Sequence, residues 1–365
     1  MAKVEKDPFR CAECGWTSQK WVGRCGECQA WGSVEEIAAP KKLSLVPGKV
    51  THAATPIGDV DLSSARARPT GVSELDRVLG GGLVPGAAIL LAGEPGVGKS
   101  TLLLSVAAQT AAKGLPALYI SGEESASQVR LRAERINAVD PKLFLASETD
   151  LGAVIAHIDS VKPELVIIDS VQTIGSAAAD GSPGGVTQVR EVAGALIRIC
   201  KDRDITLLLV GHVTKDGSIA GPRLLEHIVD VVLQFEGDQH YAYRILRTTK
   251  NRFGSTAELG IYEMTGTGMK PVMNPSDILI NQKEEQLSGI AIGATMEGLR
   301  PLLIEVQALV TPSVYGTPQR TASGFDLRRL QLLLAVLEKR GGFHFGTKDV
   351  FVNIAGGLKI EDPDI

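Results

Sequence analysis

Gly93-Glu94-Pro95-Gly96-Val97-Gly98-Lys99-Ser100 fits G-x-x-x-x-G-K-[ST] at every fixed position. An apolar run, Ala87 to Ala92, precedes it, and Thr101-Leu102-Leu103-Leu104 opens a helical segment behind it. A strand that turns through glycines into a helix is the setting in which this pattern binds phosphate. The glycines let backbone N–H groups converge on an anion, and the helix N-terminus adds its partial positive charge. In that setting the Lys99 ammonium reaches the β- and γ-phosphates and the Ser100 hydroxyl holds Mg²⁺. The loop and Thr101 are therefore read as a site for ATP and Mg²⁺.

Further apolar runs lie on either side: Pro116 to Ser121, Leu165 to Asp169 and Ile205 to Gly211. Continuous runs of this length suit strands buried on both faces of a parallel sheet. The stretches Thr101 to Lys113 and Thr187 to Arg203 are long enough to be crossover helices. The alternation predicts an α/β, doubly wound core with a parallel sheet. Asp169 ends its run and so falls at the carboxyl edge of the sheet, where a Mg²⁺ ligand is needed. Glu123 and Glu124 follow the run ending at Ser121 and reach the same edge. One of them can orient the attacking water; Glu123 is taken first and Glu124 stays open. Gly175 to Gly185, built almost wholly of small residues, is expected to be mobile. The loop Thr214 to Arg223 is similar but carries Lys215 and Arg223.

The chain has 365 residues, 44% of them hydrophobic, enough for a sizeable core. A formal net charge of −4 excludes binding of nucleic acid through bulk charge and leaves only local basic patches for it. Met1 to Phe9 is charged and does not read as a signal peptide. No stretch approaches the roughly 20 apolar residues of a membrane span. A cytoplasmic protein with reduced thiols is the expectation.

Composition divides the chain into a Cys- and Trp-bearing segment over 1–37, a linker over 38–65, an ATPase domain over 66–275 and a further α/β segment over 281–365. The core pattern fades near Tyr262, and the last segment opens at Asn281. Four of the five cysteines form two knuckles, Cys11-x2-Cys14 and Cys25-x2-Cys28, which suit one tetrahedral Zn²⁺. So short a segment cannot fold on apolar burial alone, and the metal supplies much of its stability. Trp16, Trp21 and Trp31 are expected to cover the zinc site, with base stacking as the alternative. Cys200 falls on the apolar face of a helix and is expected in the core.

Gly71 to Gly82 (GVSELDRVLGGG), GEPGVGKST, YISGEES, VIIDSVQT, GHVTKDG and Lys250-Asn251-Arg252-Phe253-Gly254 (KNRFG) together resemble the RadA, or Sms, family of bacterial DNA repair proteins. The four-cysteine finger matches the same architecture, and the C-terminal segment looks like a Lon-protease-type domain that ends early. The resemblance implies a RecA-like ATPase that forms a homo-oligomeric ring, a hexamer. It implies movement on single-stranded and branched DNA, branch migration in recombination, and the recombinase RecA as a partner. By position it assigns Lys99, Ser100 and Asp169 to nucleotide, Glu123 to water activation and His212 to sensing the γ-phosphate. Lys250 and Arg252 become cations for a neighbour's γ-phosphate, for DNA, or for both. The runner-up is a RecA-type nucleotide switch without motor activity. No Ser–Lys protease dyad is evident, so the last segment reads as scaffold, with Arg328, Arg329, Lys339 and Arg340 as candidate DNA contacts.

Overall fold

The structure is a computed structural model that describes residues 9–36, 55–59, 62, 65–212, 223–237, 243–276, 280, 288–314 and 316–355. Most of the segment read as a linker, Lys215 and Asn281 lie outside them. The chain divides into two compact units, Met1–Val60 and Asp61–Ile365.

The first unit is a three-stranded antiparallel ribbon in which β1 (Phe9–Cys11) sits between β2 (Thr17–Ser18) and β3 (Val34–Glu36). Among the described residues its apolar centre is Cys11, Cys25 and Val34, with Phe9, Trp16 and Val22 packed around them.

The second unit opens with α1 (Ser73–Leu79), which Gly80 ends in the left-handed conformation. There follow β4 (Ala88–Gly93), α2 (Lys99–Ala112), β5 (Ala117–Ser121), α3 (Ala126–Arg135), β6 (Leu143–Ser147), α4 (Leu151–Val161) and β7 (Leu165–Asp169). After them come α5 (Val186–Asp202), β8 (Thr206–His212), α6 (Arg223–Ile228) and β9 (Val231–Glu236). The meander β10 (Tyr243–Asn251), β11 (Leu259–Thr265) and β12 (Gly268–Pro271) completes a nine-stranded sheet of order β12-β11-β10-β9-β4-β8-β7-β5-β6.

From β9 to β6 every neighbouring pair is parallel. Alternate side chains of each parallel strand enter opposite cores. Ile89, Leu91, Tyr119 and Ile167 pack under α1, α2 and α3, whereas Leu90, Leu118, Ile168 and Leu209 pack against α4 and α5. Burial on both faces is why these strands are apolar throughout. Cys200 belongs to the second core.

Two expectations change. The core pattern does not end near Tyr262, because β11 and β12 continue the same sheet by antiparallel pairing. Nor is Gly175 to Gly185 a free loop. The buried Gln188 side chain accepts the N–H of Ser176 at 2.8 Å and donates to the carbonyls of Ser176, Ala179 and Gly181 at 3.1, 2.6 and 3.1 Å. One amide thus adds to the backbone bonds the loop makes itself, such as Ala179 N to the Ser176 carbonyl at 3.2 Å.

The chain continues into β13 (Ile290–Glu297), β14 (Arg300–Pro312), β15 (Arg320–Ser323), α7 (Leu327–Gly341) and β16 (Lys348–Ile354), a sheet of order β13-β14-β16-β15. Leu302, Ile304 and Ile354 pack with Leu259, Ile261 and Val272, joining this sheet to the meander. Glu74, on α1, accepts from Arg300 Nη1 at 2.5 Å and from Ile261 N at 3.0 Å. The outer surface of α7 mixes the exposed Arg328, Lys339 and Arg340 with exposed Leu332, Leu333, Val336 and Leu337.

Candidate active site and metal centre

β4 ends at Gly93, in register with His212 of β8 on one side and Phe235 of β9 on the other. A Cβ at position 93 would lie 2.5 Å from the Phe235 carbonyl oxygen, so the sharp exit from the strand requires glycine. Gly98 caps α2 with φ +109, where an L side chain is strained. Between them Glu94, Pro95 and Gly96 are exposed, and Val97 is the buried anchor of the loop. Ser100 and Thr101 follow in the first turn of α2, where free N–H groups face an anion. Lys99 is 5% exposed, and its Nζ donates to the Gly93 and Glu94 carbonyls, both at 2.8 Å. Burial draws its pKa below the usual lysine value, while Asp169, Glu123 and Glu94 pull the other way. The ammonium is already beneath the loop that an incoming phosphate would fill.

Asp169 ends β7, as its place in the sequence predicts. Its Oδ2 accepts from the Tyr119 hydroxyl at 2.5 Å. Burial and the neighbouring carboxylate hold that phenol well above its ordinary pKa, so it stays a donor.

The paired acids separate. Glu124 Oε1 meets Arg132 Nη2 at 2.5 Å and is committed to that ion pair. Glu123 Oε1 instead accepts from Ser170 Oγ at 2.5 Å and lies 2.9 Å from His212 Nε2. Burial pushes the Glu123 carboxyl up, but Ser170 and His212 outweigh it, leaving its pKa below the usual range. The other ring nitrogen, His212 Nδ1, is buried with no partner among the described residues.

KNRFG lies elsewhere. β10 runs antiparallel to β9, so its last residues lie beside the start of that strand, with Asn251 opposite Val231. Lys250 Nζ donates to the Glu226 and Val229 carbonyls at 2.6 and 2.8 Å, closing the C-terminal end of α6. Arg252 Nη1 meets Asp230 Oδ1 at 3.1 Å, and the side chain remains 54% exposed. Asp230 also accepts from Ala88 N and Lys201 Nζ, both at 3.0 Å. Ala88 begins β4 and Gly93 ends it, so about 17 Å of strand separates KNRFG from the phosphate loop. Lys250 and Arg252 both reach the Glu226–Asp230 segment, and neither sits near the loop of its own subunit.

In the ribbon, the four Sγ atoms of Cys11, Cys14, Cys25 and Cys28 lie within 4.8 Å of one another. Cys11 and Cys28 are 3.7 Å apart, and Cys14 and Cys25 are 3.5 Å apart. Zn–S bonds of about 2.3 Å at tetrahedral angles require about 3.8 Å between sulfurs, so the donor set fits zinc. The Ser33 hydroxyl beside Cys11, with the Cys14 backbone, lowers that thiol's pKa to about 6, whereas burial and the neighbouring cysteine sulfurs push Cys28 up to about 12, as expected where four thiols crowd together. Trp16 packs at this centre as expected, but Trp21 and Trp31 do not cover it. The ribbon is too thin to bury three indoles.

Tyr119, Ser170, Asp230 and Gln188 were not singled out by sequence reasoning. Ser170 carried one signal, its position directly after Asp169.

A glycine-rich loop that opens a helix and a strand-end aspartate on a parallel sheet define a RecA-like P-loop ATPase core, and this one is preceded by a four-cysteine zinc ribbon. Family models agree: an AAA domain matches residues 55–218 and a rubredoxin metal binding domain matches residues 9–36. The DNA repair protein RadA of Streptococcus pyogenes serotype M6 is 48% identical over 368 residues, covering 100% of this chain and 81% of the relative. RadA of Listeria monocytogenes serovar 1/2a is 47% identical over 369 residues and RadA of Bacillus subtilis 45% over 371, with the same coverage. The chain belongs to the RadA family of DNA repair proteins. Among solved structures, a KaiC-like protein of Pyrococcus horikoshii OT3 aligns over 57% of this chain and 99% of its own, at 21% identity and a TM-score of 0.48.

Proposed function

We propose that the chain is a DNA-dependent ATPase motor that acts on single-stranded and branched DNA in recombination and repair. The observation that carries the reading is the convergence of Lys99, Asp169, Glu123 and His212 at the carboxyl edge of one sheet. Lys99 neutralises charge on the β- and γ-phosphates, while Ser100 and Asp169 hold Mg²⁺. Bound Mg²⁺ supplies charge neutralisation on the phosphates. Glu123 orients the attacking water and takes its proton. His212, at hydrogen-bond distance from that base, is the sensor of the γ-phosphate in this reading.

The chain works as a homo-oligomer, a hexameric ring in this reading. The distance of Arg252 from its own loop leaves a neighbour's triphosphate, or DNA, as the group it serves. The family resemblance makes the recombinase RecA the partner in the cell. Domain limits at 1–37, 38–65, 66–275 and 281–365 belong to the same proposal.

The test is ATP turnover with and without single-stranded DNA. Stimulation by DNA is expected, with turnover abolished in Lys99→Ala. Mixing Lys99→Ala with Arg252→Ala subunits should restore part of the activity, because each supplies what the other lacks. Tight nucleotide binding with no turnover, with or without DNA, would replace the motor by a nucleotide switch.

A further inference from the structure

Two of the three tryptophans in the ribbon stand in solvent: Trp21 is 64% exposed and Trp31 is 78% exposed. Neither is part of the small apolar centre around Cys11, Cys25 and Val34. Because metal ligation supplies the stability of so small a unit, these rings are not needed to hold it together. Exposed apolar surface of this kind marks an interaction site.

The backbone fixes where the rings lie. Arg24 pairs with Trp31 in an antiparallel bridge, and Gly32 N donates to the Gly23 carbonyl at 2.9 Å. Both indoles border Gly23. A Cβ built there would lie 3.8 Å from Cη2 of Trp21 and 3.9 Å from Cζ3 of Trp31. Glycine thus leaves the space beside both rings clear. The Arg24 guanidinium stands 5.7 Å from the Trp31 ring centroid, and its Nε donates to the Gln29 carbonyl at 3.0 Å. Lys20, adjacent to Trp21, is exposed.

We propose that this face of the ribbon is a stacking platform for single-stranded nucleic acid, with Trp21 and Trp31 taking unpaired bases and Lys20 and Arg24 the flanking phosphates. An aromatic face accepts any base, and a neighbouring cation supplies the attraction to the backbone. In a chain of net charge −4, a polyanion binds where cations are grouped locally, and here two of them adjoin the exposed rings. The proposal rests on the reading of the chain as a DNA-binding protein, but it concerns a surface outside the ATPase site.

The experiment uses the whole zinc-loaded chain without nucleotide and measures binding of a fluorescein-labelled oligo-dT by anisotropy. The Trp21→Ala, Trp31→Ala double variant should bind at least about 10-fold more weakly, with zinc content unchanged. The double Phe variant should keep most of the affinity, because a flat ring remains. Lys20→Ala should lower the salt dependence of log K by about one phosphate contact. Gly23→Leu, which fills the space beside the rings and leaves both indoles in place, should weaken binding even if the Ala pair proves unstable. Parent-like affinity in the Ala pair, or in Gly23→Leu where the Ala pair does not fold, overturns the platform alone. A parent that binds no oligonucleotide sinks the platform and the DNA reading together.

Discussion

His212 Nε2 lies 2.9 Å from Glu123 Oε1, although 89 residues separate them in sequence. Ser170, next to Asp169, donates to the same oxygen at 2.5 Å. The carboxylate is thereby held by two donors from two different strand ends before any substrate arrives. Its basicity is set by those donors as much as by its burial.

Ser170→Ala should move the acid limb of the ATPase pH profile upward. A general base works only when deprotonated, so activity falls as pH drops through its pKa. Ser170 is one of the groups holding the Glu123 pKa down. Without the hydroxyl the carboxylate is less favoured, its pKa rises, and the limb appears at higher pH. KM for ATP should hardly change, and Ser170→Thr should restore the profile. An unshifted limb in Ser170→Ala would show that Glu123 is not the titrating base.

Tyr119→Phe removes the donor to Asp169 Oδ2. Loss of a partner that orients a metal ligand costs roughly 10-fold or more in metal affinity. The Mg²⁺ concentration giving half-maximal turnover should rise by about that factor, with the fold intact by circular dichroism. Unchanged Mg²⁺ dependence would mean that Asp169 does not bind the metal.

Arg300→Met removes the nearer of two guanidinium partners of the fully buried Glu74 carboxylate, leaving it Arg77 Nε at 3.4 Å and the Ile261 N–H. Removing one member of a buried pair costs about 3–5 kcal/mol. For a unit of this size the melting temperature should fall by roughly 10 °C. Combining Arg300→Met with Glu74→Gln should recover part of the loss, because no buried charge is then stranded. A drop of only a degree or two would show that the pair is dispensable.

A strong chelator should release one zinc per chain and make four thiols reactive toward a chromogenic disulfide. Cys200 should stay silent until the core unfolds, since it is closed off from solvent inside the second core. Five fast-reacting thiols in the chelated protein would contradict that placement.

Much of the fold was legible because parallel strands buried on both faces read as unbroken apolar runs. Leu165 to Asp169 is all buried, and its last residue falls at the sheet edge where the sequence puts it. The phosphate loop and the cysteine knuckles are local patterns, readable without knowing what packs against them. The meander was harder. Tyr243 to Asn251 alternates burial on one edge of the sheet, and its partners depend on distant strands. Glu74 and Arg300 stand 226 residues apart, and no spacing rule links them. Tyr119 looks like one more apolar strand residue until Asp169 is placed beside its hydroxyl. Trp21 and Trp31 were expected to cover the zinc site, but so thin a ribbon leaves both in solvent.

The opposite placement of KNRFG and the phosphate loop gives the subunit a head and a tail. If, as proposed, the cations at one end serve a neighbour's triphosphate at the other, copies would join by unlike surfaces, which a two-fold dimer cannot satisfy. Such copies close on themselves when the rotation between them divides a full circle, and otherwise run on as a filament. In either case the terminal copy of an unclosed stack keeps one triphosphate with no cation across from it, so activity per subunit should rise with assembly size until closure.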